Sequence, residues 1–267
     1  MQGFKSKEQL HEDDLQRIEQ LRLMDDDFMT ACFSEYPEGV EFMLRIIMNK
    51  RDLKVKRSRV QHIIKNLQGR SIWLDVDATD DLNREFDIEV QRADKGAKPR
   101  RARYHSSLID ANALNIGDDF ELLPETYVIF ITENDVIGEN KPIYEINRTI
   151  KGSNAIFDDG SHIIYVNGEV KDETALGKLM HDFYCTEPDE MYYNELAERA
   201  RFFKKTEGGR QKMCKIMEDM RNEAVMAIKR ENARNLLKIG KLSVEEIAFA
   251  IGLTVEEVEE LKGTFTA

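Results

Sequence analysis

The chain has 267 residues, 41% hydrophobic and 34% charged, with a formal net charge of −12. That length supports either one large domain or a domain with a helical appendage. It contains no apolar run long enough to span a bilayer, and its acid excess argues against a generic nucleic-acid binder, because phosphate contact needs Lys and Arg. The N-terminal MQGFKSKEQLHEDDL has no apolar stretch of a secretory signal. Cys32, Cys185 and Cys214 are scattered and lack metal-ligand spacing, which fits packing roles in a reducing cytoplasm.

Taken in order, Leu15, Ile18, Leu21 and Leu23 give an amphipathic helix over Asp13 to Met24. Pro37 suits the first turn of a helix running to about Asn49, with Val40, Met43, Leu44 and Ile47 as its buried stripe. Asn49 to Arg70 is strongly basic, with Asp52 its only acid. Leu53 to Arg59 alternates weakly as an extended segment, and Val60 to Leu67 has no decided period.

Ser71 to Arg92 is the most informative stretch. Ile72, Leu74 and Val76 alternate with Trp73, Asp75 and Asp77, and Phe86, Ile88 and Val90 alternate with Asp87, Glu89 and Gln91. With the polar turn Thr79 to Arg84 between them, this is a half-buried hairpin. A turn centred near Leu82 sets Asp75 opposite Glu89 and Asp77 opposite Asp87, so four carboxylates share a face beside Gln91. Like charges across a hairpin destabilise it. A divalent cation would relieve that, and so would open water along an edge hairpin; the pattern alone leaves both open. A second basic run, Arg92 to His105, follows with Asp94 its only acid. Two basic runs framing an acidic hairpin suit a polyanionic substrate, and solvated basic faces that balance acid elsewhere are the alternative.

Arg100 to Leu114 is expected to be a helix with Tyr104, Leu108 and Ala111 along one side; Arg101 and Tyr104 either approach a phosphate from it or pack against the sheet, and packing is the commoner role for Tyr104. TYVIFIT, Thr126 to Thr132, is the most apolar strand and the expected centre of a sheet. Short strands are expected at Tyr144 to Arg148 and Ser161 to Asn167, where the lone His162 fits a structural role. Helical runs follow over Thr174 to Phe183, Met191 to Lys205 and Gly208 to Lys238, punctuated by Pro188 and Gly208–Gly209, with no sustained heptad. Ser243 with Glu246, and Thr254 with Glu257, form two capping boxes around Gly252. The pair resembles part of a helix-turn-helix, but the second helix is dominated by glutamate, which favours protein contact over DNA reading.

Asp75, a hairpin-length spacer and Glu89-x-Gln91 resemble the PD-(D/E)XK nuclease signature, with Leu74 at the usual Pro place and Gln91 at the usual Lys place. The wider text GRSIWLDVDATDDLNREFDIEVQRAD, then ARYHSSLIDANALNIGDDF and TYVIFIT, resembles the recombination-promoting nucleases, also described as PD-(D/E)XK nuclease family transposases, over roughly Leu21 to Met220. The resemblance implies an α/β restriction-endonuclease-like mixed sheet flanked by helices, with a helical C-terminal extension. It divides the chain into a nuclease-like domain over 1–185, a helical extension over 186–240 and a short helical hairpin over 241–267. It implies a metal-dependent DNA endonuclease linked to recombination or a mobile element. Asp75, Glu89 and Gln91 are the implied catalytic residues, and Asp75, Glu89 and the Val90 carbonyl the implied ligands of Mg²⁺ or Mn²⁺. Lys56, Arg57, Arg92, Arg100, Arg101 and Arg103 are the expected DNA contacts. Nucleases of this fold often draw an extra acid from an early helix, with Asp25, Asp27 and Glu41 the candidates. The expected setting is cytoplasmic, without membrane, with self-association through the C-terminal helices a further expectation. The alternative is a nuclease-like scaffold without catalysis that binds protein or nucleic acid.

Overall fold

The computed structural model describes residues 7–66, 69–93 and 96–263. Asp94 and Lys95 of the second basic run, Leu67 of the undecided stretch, and the first six residues lie outside them. The chain divides into two compact units, one ending at Arg210 and the other beginning at Gln211.

In the first unit, α1 (Lys7–Gln20), α2 (Asp26–Phe33) and α3 (Pro37–Ile47) lead into β1 (Val55–Ile64), β2 (Ile72–Asp80) and β3 (Glu85–Gln91). Helix α4 (Pro99–Ala113) crosses to β4 (Thr126–Thr132), followed by β5 (Ile143–Ile146), β6 (Ser161–Asn167), α5 (Ala175–Tyr184) and α6 (Asn194–Lys205). The six strands form one mixed sheet in the order β1-β2-β3-β4-β6-β5. β1, β2 and β3 meander antiparallel, β3, β4 and β6 run parallel, and β5 returns antiparallel on the edge. This is the expected mixed sheet flanked by helices.

β4 is buried along its whole length, as its unbroken apolar run requires of an interior strand. Ile72 and Leu74 of β2 and Val128 and Phe130 of β4 pack with Ala102, Leu108 and Ile109 of α4. The expected stripe of α3 is buried in full: Val40, Met43, Leu44 and Ile47. Helix α6 closes on α2 through a Phe28–Phe203 edge contact and through Arg199, which donates to the Cys32 and Ser34 carbonyls, while Lys204 donates to the carbonyls of Glu19, Leu21 and Thr186.

Four sequence expectations are corrected. The β2–β3 hairpin is buried on both faces, from Leu74 to Ala78 and from Phe86 to Val90, because β3 is an interior strand paired on both sides rather than half of an exposed hairpin. β2 runs on to Asp80, whose buried carboxylate accepts from the Leu82 and Arg84 backbone and pairs with the Arg84 guanidinium at 2.6 Å, so the polar turn is tighter than its composition suggests. The buried side of α4 includes His105 and Ser106, whereas Ala111 is exposed; polar side chains bonded to strand residues take the inner face. Gly208 and Gly209 lie inside α7 (Glu207–Ile239) rather than between helices. A Cβ on Gly209 would come within 2.0 Å of the Phe202 carbonyl oxygen, so glycine permits the close approach of α7 to the end of α6.

In the second unit the C-terminal stretch of α7 packs with α8 (Val244–Ile251) and α9 (Val255–Gly263) around Ala233, Ile247, Ala248, Val258 and Leu261. Both capping boxes form, and Gly252 takes a left-handed φ of 69° between the helices. Glu256, Glu259 and Glu260 of α9 are exposed. Among the described residues no helix is long and apolar enough to cross a membrane.

Candidate active site

The β2–β3 ladder runs from Thr79–Glu85 to Val76–Ile88, while β3 continues beside β4 to Gln91–Thr132. Where that ladder ends, side chains replace backbone bonds. Asp75 Oδ2 accepts from the Val90 N–H at 2.9 Å, and Glu89 Oε1 accepts from the Asp75 N–H at 3.2 Å. The two motif acids are thus locked across the junction of the strands. Both are nearly inaccessible, at 7% and 0% exposure.

Helix α4 closes the other side. Arg101 pairs with Glu89, and its guanidinium donates to Gln91 Oε1 at 3.2 Å and to the Gly96 carbonyl at 3.1 Å. Its Nε donates to His105 Nε2 at 3.2 Å. Because Arg can only donate, His105 Nε2 must accept, so the ring proton sits on Nδ1 and is donated to Asp87 Oδ2 at 2.8 Å. Gly96 is seated against Gln91: a Cβ there would come within 1.8 Å of Gln91 Oε1. Asp25, Arg92, Glu133 and Arg22 form an ion-pair network at the adjoining ends of β3 and β4.

Crowding three carboxyls here has a clear electrostatic consequence. Burial, then the Glu89 charge, pushes the Asp75 carboxyl up to about 8. Burial, then the Asp87 charge, pushes Glu89 up to about 8. Burial holds Asp87 well above the usual carboxylate range, and burial also lowers His105. Three buried carboxyls cannot all be charged against the single Arg101 guanidinium.

The donor set fits a divalent metal. Asp87, Glu89 and His105 bring one ligand atom each within 4.8 Å of one another, and Asp87 Oδ1 is fully buried without a hydrogen-bond donor among the described residues. Asp87 and Glu89 offer such a cation two hard oxygens, and His105 Nδ1 can join them when the ring proton moves to Nε2 and Arg101 gives up that contact. It shares Glu89 with the Asp75 pairing.

Asp75, Glu89, Val90 and Gln91 lie together at the junction of β2 and β3, with Arg101 of α4 against Glu89 and Gln91. Arg100 and Arg103 are exposed on the same helix, and Arg92 is tied to Asp25 and Glu133. Lys56 and Arg57 sit at the turn end of the hairpin instead, on Asn83, Thr79 and Glu85. Of the three early acids, Asp25 faces Arg92 and Glu41 accepts from the Val55 N–H and Arg45. The early acid whose charge acts on Asp75 is Asp26, which accepts from Gln61 at 3.2 Å. His105 and Asp26 were missed by sequence reasoning. The spacing of Arg101 and His105, four residues apart on one helix face, was the available signal for His105.

A mixed sheet with acids at the splayed end of a hairpin and a cationic helix closing over them defines a nuclease-like α/β protein. The sequence matches the PD-(D/E)XK nuclease family transposases over residues 42–175, and the chain belongs to that family. No curated protein and no solved structure matches it.

Proposed function

We propose that the protein is a divalent-metal-dependent endonuclease that hydrolyses DNA phosphodiesters. The observation that carries this reading is the reciprocal locking of Asp75 and Glu89 across the end of the β2–β3 ladder, which holds two acids of raised pKa at one point. Asp75, Glu89 and the Val90 carbonyl would hold Mg²⁺ or Mn²⁺. When bound, such a cation lowers the pKa of water and offsets the charge that builds on the phosphate. Gln91, whose amide Arg101 and Gly96 orient, is suited to position the attacking water by hydrogen bonding. Gln91 has no charge, and Arg101 provides the cation beside it. Addition of the water oxygen to phosphorus breaks the P–O3′ bond, and a proton equivalent to the one the water loses ends on O3′ by way of solvent, leaving a 5′-phosphate and a 3′-hydroxyl.

Nicking of supercoiled plasmid in Mg²⁺, Mn²⁺ or Ca²⁺ tests the proposal. Wild type should cut in Mg²⁺ or Mn²⁺, and Asp75→Ala and Glu89→Ala should stay folded and lose cleavage by roughly a hundredfold or more. A wild type that is folded yet as inert as both variants in every metal would leave a nuclease-like binding scaffold as the reading.

A further inference from the structure

Trp73 is the chain's single tryptophan. It is 58% exposed, although its neighbours Ile72 and Leu74 are buried in the α4 core at 4% and 1%. Its cross-strand partner, Ile63, is also exposed, at 38%. An open indole on a strand leading into a candidate active site is available to a ligand.

Trp73 lines a cavity of about 620 Å³ between the start of β2 and the first turns of α4. The same cavity is lined by Arg70, Lys98, Arg100, Arg101 and Tyr104, and by no carboxylate among the described residues. Tyr104 fixes its wall by donating to the Arg70 carbonyl and accepting from Asn66 at 3.1 Å. Four cations collected in one groove of a chain with net charge −12 make a local field for a polyanion. Arg101 and His105 form the wall between the groove and the buried acids: both line it, and they contact Glu89 and Asp87. Trp73 lies two strand residues before Asp75, about 7 Å along the backbone. That is comparable to the reach of a nucleotide from its phosphate to its base.

We propose that this groove is a binding subsite for a single DNA strand, in which Trp73 stacks on an unpaired base while Arg70, Lys98 and Arg100 hold the flanking phosphates. The proposal rests on the DNA-cleaving reading above and deepens it to a substrate class: DNA with an unpaired segment at or beside the scissile phosphate. In a duplex both faces of a base are covered by its neighbours, so an indole at this place can stack only on a base that has left the helix. The combination of a cationic track and an aromatic platform tolerates any sequence, because every base has a π face.

The experiment uses the full chain in Ca²⁺ and follows the intrinsic fluorescence of Trp73 during titration with oligo-dT, a duplex carrying a single-stranded flap, a blunt duplex and oligo-U. Oligo-dT and the flap should quench the emission, and the blunt duplex should not. Trp73→Ala should weaken flap binding, measured by anisotropy, by about 5- to 150-fold relative to blunt duplex, and Trp73→Phe should restore most of the loss. If flap and blunt duplex bind equally, without quenching and without dependence on Trp73, the subsite is overturned while the nuclease reading stands. Stronger quenching by oligo-U than by oligo-dT overturns the DNA assignment. An emission that changes with protein concentration alone points to self-association and overturns the subsite. Failure of every DNA to bind, together with absent plasmid nicking in Mg²⁺ and Mn²⁺, overturns both readings.

Discussion

Arg101 and Gly96 set the state of Gln91, the residue that stands in this chain where the family signature often has Lys. Arg101 divides its donors among Glu89, Gln91, the Gly96 carbonyl and His105. The lost lysine charge is therefore present a few ångströms away, carried on α4 rather than on β3. Gly96 makes the arrangement possible because a side chain there would overlap the Gln91 amide. The overlapped atoms are the far end of a flexible side chain, so Gly96→Ala is expected to displace Gln91 rather than disrupt the strand. Cleavage should fall by roughly 10- to 100-fold, as for a misplaced group near the reacting centre, while the thermal midpoint moves little. A normal cleavage rate in a folded Gly96→Ala protein would remove Gln91 from the proposed machinery.

At the scale of elements, the hairpin is fastened at its turn as firmly as at its open end. Asp80 has no exposure and depends on Arg84 for its counter-charge. Arg84→Met leaves a buried carboxylate without its ion-pair partner and should destabilise the fold by about 3 kcal/mol. Adding Asp80→Asn to that variant should recover part of the loss in urea denaturation, and absence of any recovery would show that Arg84 acts by packing on Phe86 rather than by charge. The β2–β3 hairpin was readable in the sequence because strand period and motif spacing are local. Its facing acids were readable too, since Asp77–Asp87 pairs as the turn position required. What α4 contributes was not readable from apolar periodicity, because its inner face carries His105 bonded to Asp87 and Ser106 bonded to Ser161. Nor was Asp26 distinguishable from Asp25 and Asp27. Its place depends on Gln61, a strand residue at φ 50° that reaches from β1 to Asp26 and Thr30 on α2. A contact made across 35 residues through a left-handed strand position has no local signature.

For the whole molecule, the acid cluster links stability, pH and metal. In the unfolded chain Asp and Glu carboxyls titrate near 4, whereas in the folded, metal-free protein Asp75 and Glu89 titrate at about 8. Between those values the folded state keeps protons that the unfolded state has lost. The unfolded state therefore binds fewer protons, and stability falls as pH rises through this window. Below pH 4 both states are protonated and the contribution is constant. A cation that takes Asp75 and Glu89 as ligands must displace these protons, so its affinity rises with pH, and so does the stabilisation it gives at a fixed concentration. Other groups titrate as well, so the decisive comparison is with Asp75→Asn, which removes one of the shifted carboxyls of the cluster. Metal-free wild type should lose more thermal stability between pH 6 and pH 8 than Asp75→Asn does, and Mn²⁺ should raise the wild-type midpoint more at pH 8 than at pH 6. An Mn²⁺ shift that is equal at both pH values, or larger at pH 6, would show that the bound cation does not draw on these carboxyls.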